Sequence, residues 1–140
     1  MTKDHQLFVS TKEKLYKFDP TLEVFYEILS SKNEAIIVDI FEDQSGKLWV
    51  RWSTGLIQIL QSNQSNSIVL VSIVEETIAG YFPSWQAMIQ PNADEIWVGT
   101  NLGVTILDAQ TGLKKALQMQ APGAVKSLMI DHSGLIWAGI

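Results

Sequence analysis

Hydrophobic residues in this chain fall into short runs that alternate with polar ones, and turn residues punctuate them. Between residues 35 and 74 four such runs follow one another: AIIVDIFE (35–42), KLWVRW (47–52), LIQIL (56–60) and IVLVSIV (68–74). Valine, isoleucine and aromatic residues dominate them, and these side chains suit a pleated, half-buried surface. DQSG (43–46) separates the first two runs. An aspartate at such a turn caps backbone amides, and a glycine accepts a positive φ. No segment carries a sustained 3.6-residue period with caps at both ends. The pattern predicts antiparallel strands throughout.

The pattern also repeats. DQSGKLWV (43–50), PNADEIWV (91–98) and DHSGLIWA (131–138) align on Trp49, Trp97 and Trp137. Hydrophobic residues flank each tryptophan, Asp43 matches Asp131, and Gly46 matches Gly134. A worn fourth copy, QLFVSTKEKLYKFD (6–19), aligns with EIWVGTNLGVTILD (95–108) and puts Phe8 in the tryptophan position. The spacings from Phe8 to Trp49, Trp97 and Trp137 are 41, 48 and 40 residues. A period of roughly 40 residues with four short antiparallel strands per unit is that of a β-propeller blade.

The fold predicted is therefore all-β: one domain over residues 1–140 built of propeller blades, with a partial blade at 6–29, blades at 35–74 and 84–119, and a partial blade at 125–140. That makes about three and a third blades, whereas closed propellers use roughly four to eight. Uncovered faces and sheet edges favour association. The chain is expected to be a fragment of a longer propeller or a protomer that self-associates to complete its sheets. Trp49, Trp97 and Trp137 are expected to pack alike between neighbouring sheets, as large flat side chains do well.

Arg51 and Trp52 depart from the repeat, since their counterparts are Gly99 and Thr100 in the third unit. Two readings are open: a local packing pair, or a cation and a flat face offered to a ligand. Arg51→Ala and Trp52→Ala are expected to cost less stability than Trp49→Ala or Trp97→Ala, and a loss greater than that of Trp97→Ala would mark the pair as structural. The longer second spacing comes from QSNQSNS (61–67) and EETIAGYFPSW (75–85). The second of these brings Tyr81, Phe82 and Trp85, read either as a staple against the next blade or as binding residues on a loop. Arg51, Trp52 and Trp85 are the candidate ligand-binding residues.

Composition narrows the rest. Hydrophobic residues make up 46% and charged ones 18%, enough for a core. The net charge is −5 with basic residues scattered, so no nucleic-acid partner is expected. There is no cysteine, which excludes disulfides and thiolate metal sites without fixing the compartment; with no apolar run long enough for a signal peptide or a membrane span, the sequence as written is expected to be untargeted and cytoplasmic. His5 and His132 are the only histidines, and His132 reads as a solvated turn residue. Asp43 and Asp131 read as turn caps, and DQSG has too few oxygens for a calcium loop. Glu75 and Glu76 are adjacent, and neighbours on a strand face opposite sides. No metal site, cofactor or catalytic residue is predicted.

The repeated letters resemble the two-component regulator propeller repeat, in which an acidic D-x-x-G turn leads into L/I-W-V/I-G-T and then a G-L strand ending in F-D and T-G. EIWVGTNLGVTILDAQTG (95–112) matches best, FEDQSGKLWV (41–50) and MIDHSGLIWAGI (129–140) match the first half, and KFD (17–19) survives in the first copy. The resemblance implies a non-enzymatic, periplasmic sensor propeller of a hybrid histidine kinase that recognises an oligosaccharide or other small molecule. A lyase of the streptogramin type, with similar D-x-x-G-x-x-W turns, and a protein-interaction scaffold are the alternatives.

Overall fold

A computed structural model describes residues 6–32, 34–62, 68–74 and 87–140. Thirteen strands form four antiparallel sheets, and the described residues contain no helix. The first sheet holds β1 (Phe8–Ser10), β2 (Lys14–Asp19) and β3 (Val24–Ser30). The second holds β4 (Ile37–Glu42), β5 (Leu48–Trp52), β6 (Ile57–Ser62) and β7 (Ile68–Val74). The third holds β8 (Met88–Asn92), β9 (Glu95–Thr100), β10 (Gly103–Asp108) and β11 (Lys114–Gln120), and the fourth holds β12 (Ser127–Ile130) and β13 (Ile136–Gly139). Strand order follows chain order in every sheet, so each is a meander. This is the all-β architecture of a partial propeller.

The DQSG and DHSG turns explain why the strands on either side pair as they do. Asp43 Oδ1 accepts from the Ser45 amide at 2.8 Å, the Ser45 hydroxyl at 2.7 Å and the Lys47 amide at 3.0 Å. Its other oxygen, Oδ2, accepts from the Trp49 indole nitrogen at 2.9 Å. Asp131 repeats the set with Ser133, Leu135 and Trp137, again with the indole at 2.9 Å. Gly46 and Gly134 close the turns at φ of 86° and 85°, a region that favours glycine. The third unit has no aspartate at that position: there Glu95 Oε2 accepts a hydrogen bond from the Trp97 indole nitrogen at 3.0 Å, and Asn92 caps the turn by accepting from the Asp94 amide.

Side-chain alternation along each strand then covers both faces of the inner sheets. All five residues of β5 are buried. Leu48, Val50 and Trp52 pack with Leu15, Phe8 and Ile28 of the first sheet. Trp49, with Ile57, Ile59 and Phe41, packs with Met88, Ile96, Val98 and Leu107 of the third. Ile89, Trp97 and Val104 face the fourth sheet through Leu128 and Ile136, with Val125 beneath them. Backbone bonds tie the sheets together: the Ile37 amide to the Lys12 carbonyl at 2.7 Å, and the Val125 amide to the Thr100 carbonyl at 2.8 Å.

The expectation that the three tryptophans are equivalent needs correction. Trp49 is fully buried and Trp97 half-buried, but Trp137 is 57% exposed. The reason is geometric, since among the described residues no sheet lies over that face of β12 and β13. Trp49→Ala is therefore expected to cost about 3–5 kcal/mol, as for a buried aromatic, Trp97→Ala less, and Trp137→Ala under about 1 kcal/mol. Chemical denaturation of the three variants checks this order.

Candidate functional site

Position 51 lies on the face of β5 that carries Trp49, opposite Asp39 of β4. The corresponding pairs elsewhere are Gly99 with Ala87, joined by a backbone bond of 2.7 Å, and Gly139 with Ser127. Those sheets need small residues here. A Cβ on Gly99 would fall 2.7 Å from the Val125 carbonyl oxygen and 2.8 Å from the Ala87 Cβ. The second sheet fills the same level with opposite charges instead. Arg51 is 2% exposed and Asp39 is half-buried.

Burial is the largest influence on both groups. It pushes the Asp39 carboxyl up to about 6, against the opposing pull of the Ile40, Ala87 and Met88 amides and the Arg51 charge. It lowers the Arg51 value, and the Asp39 charge offsets part of that. Asp39 Oδ2 accepts from the Ala87 amide at 3.1 Å, so the pair reaches from the second sheet to the start of the third. Opposite charges in such a place are weak evidence of stability, because desolvation offsets their attraction. Its chemistry is that of a polar anchor set between two apolar cores.

Trp52 points to the opposite face. It is 4% exposed within the core shared by the first two sheets, and its indole donates to Gln58 Oε1 at 2.8 Å. Just beyond it the Ser53 amide donates to the Ile36 carbonyl at 2.8 Å, and the Ile36 amide donates to Ser53 Oγ at 3.1 Å. This end of the second sheet is thus stitched to the segment before β4. Arg51 and Trp52 are neighbours in sequence but serve different sheet junctions, and neither side chain is open to solvent. Trp85, Tyr81, Phe82, Glu75, Glu76 and His5 lie outside the described residues. His132 stands exposed on its turn.

Asp39 was not singled out from the sequence. A signal for it existed: positions 39, 87 and 127 read Asp, Ala and Ser while 51, 99 and 139 read Arg, Gly and Gly. The two departures occur in the same unit and on paired strands, a relation that needs the register to be known. Two clefts among the described residues are small. One of about 190 Å³ is lined by Gln6, Phe8, Glu42 and Gln61, and another of about 250 Å³ by Phe41, Gln44 and Ile130. Ligand pockets usually have roughly 300–1,000 Å³.

No protein-family model matches the chain. No curated protein is significantly similar to it in sequence. Solved structures are similar in fold. The extracellular domain of BT4673 from B. thetaiotaomicron, described as a putative hybrid two-component system, aligns over 99% of this chain at 17% identity with a TM-score of 0.67. A second structure of that extracellular domain, described as a putative one-component system, aligns over 94% at 18% identity and 0.64. A chain of the mitotic checkpoint complex aligns over 96% at 15% identity and 0.72. The chain spans 18%, 17% and 41% of those chains respectively, well under half of each. At these identities the likeness establishes the propeller-type fold.

Two outcomes follow from the site. The folded-state value of Asp39 lies above its ordinary 3.8, so the unfolded chain releases this proton first as pH rises. Its contribution to stability is full below about 4 and is lost as pH rises through about 6. Asp131 behaves oppositely: hydrogen bonds from Ser133 and Trp137 hold it at about 2, so its contribution is full above about 4 and is lost as pH falls towards 2. Between pH 4 and 7 the melting temperature of wild type is expected to fall relative to Asp39→Asn. A difference that stays constant over that range would show that Asp39 ionises normally. In the same assay Trp52→Ala is expected to cost more than Trp97→Ala, reversing the order expected from sequence, because Trp52 is the more deeply buried.

Proposed function

We propose that this chain is a segment of a sensory propeller in a two-component signalling system, acting outside the cytoplasm and without catalysis of its own. The observation that carries the reading is a coincidence of two independent likenesses. The repeated letters resemble the two-component regulator propeller repeat, and nearly the whole chain superimposes on an extracellular domain described as that of a putative hybrid two-component system. Its ligand in this reading is a small molecule or oligosaccharide, received at the end of the second sheet where Arg51, Trp52 and the Ser53–Gly55 turn meet the segment before β4. Arg51 and Trp52 then act from beneath, holding the backbone of that end in place. Trp85 belongs to the same proposal on sequence grounds alone.

The reading is tested by titrating the purified chain with neutral and acidic oligosaccharides and following its thermal unfolding. A binder raises the melting temperature in a saturable way, by mass action on the folded state. Trp52→Phe is expected to keep the fold and weaken that shift. Conversion of an oligosaccharide into products would overturn the non-catalytic assignment, and the absence of any shift at millimolar concentration would overturn ligand recognition by this segment.

A further inference from the structure

The two outer faces of this four-sheet array are the two halves of one interface that already exists inside it. At the junction of the second and third sheets, the cross-strand pair Phe41–Trp49 is covered by Ile96, Val98 and Leu107. At the next junction the equivalent pair Ile89–Trp97 is covered by the fourth sheet. The fourth sheet carries the same pair again, Met129–Trp137, in the same register. There it is open: Met129 is 56% and Trp137 57% exposed.

The first sheet presents the other half. The alignment of 6–19 with 95–108 makes Leu7, Val9 and Phe18 the counterparts of Ile96, Val98 and Leu107. The strand pairing confirms that register, since Phe8 lies opposite Lys17 as Trp97 lies opposite Ile106. Leu15 and Phe8 point to the second sheet, so by alternation Leu7, Val9 and Phe18 point away from it. Val9 is 39% exposed, Leu7 and Phe18 are half-buried, and Phe25, 51% exposed, stacks on Phe18 with ring centroids 5.0 Å apart. Strands β1 and β13 are edges of their sheets among the described residues. Apolar faces beside open edges are what sheets cover.

We propose that the Met129–Trp137 face of one chain takes the Leu7–Val9–Phe18 face of a second copy, head to tail. The occupant is specified by the chain itself, because each face repeats one side of a junction that is already packed. The contact is heterologous, joining different surfaces of the two copies, and so leaves one face of each kind free to continue or to close a ring. It does not depend on the functional reading.

The experiment uses the full chain and two single variants, Trp137→Glu and Val9→Glu, in sedimentation equilibrium across the micromolar range. Wild type is expected to exceed the 15.6 kDa of one chain, with mass rising with concentration. Each variant alone is expected to associate roughly thirtyfold more weakly or worse, as when a central contact of an interface is lost. Both substituted positions are exposed, and circular dichroism checks that the strands persist. An equimolar mixture of the two variants is expected to form a heterodimer, because each chain still holds the half that the other lacks. A wild-type monomer throughout the range would overturn the proposal. So would a mixture that fails to associate, or a Val9→Glu variant that associates like wild type, since either outcome removes the head-to-tail pairing.

Discussion

The arrangement depends on a carboxylate that does two jobs. Asp43 closes the β4–β5 turn with one oxygen and holds the Trp49 indole with the other. Closing the turn fixes which residues of β4 and β5 stand opposite each other. Holding the indole fixes the largest side chain of the sheet as a flat knob for the next one. Without that bond a buried indole N–H would lack an acceptor, a cost of about 1–3 kcal/mol. Local chain geometry and packing between sheets are thus joined through one side chain, and the same device recurs at Asp131.

The third unit shows which part of this device is essential. It has Pro91 where the second unit has Asp43, yet Trp97 still finds a carboxylate, supplied by Glu95 from two residues away on the same strand. The turn is capped separately by Asn92. The requirement that persists is an acceptor for the indole, and the sequence meets it by different routes. Trp97 is also less buried than Trp49. Among the described residues the sheet that lies over it is the fourth, with two strands.

Between the apolar cores sits the Asp39–Arg51 pair, at a level where the third and fourth sheets use glycine with alanine or serine. Small residues there let the backbone of the next sheet come close, as Val125 does at Gly99. A charged pair holds the neighbouring backbone differently, through the bond from the Ala87 amide to Asp39. The second-to-third junction thus carries a polar anchor beside its apolar core. Its Asp39 carboxyl is raised towards neutral pH by burial, so the charge state of this junction changes near that range.

Much of the architecture was legible in the sequence, because it rests on short-range chemistry. Strand period, D-x-x-G turns and tryptophan spacing all depend on residues close in the chain, and they were enough to identify four units of one kind and an all-β propeller fold. The sequence also marked Arg51 and Trp52 as departures from the repeat. Their surroundings were a different matter. Alternation sends the two side chains to opposite junctions, and only the packed sheets show that Trp52 is buried against the first and that Arg51 meets Asp39. The unequal fates of Trp49, Trp97 and Trp137 follow the same logic: three copies of one local motif acquire different burial because the neighbouring sheet that covers each is a property of the whole fold.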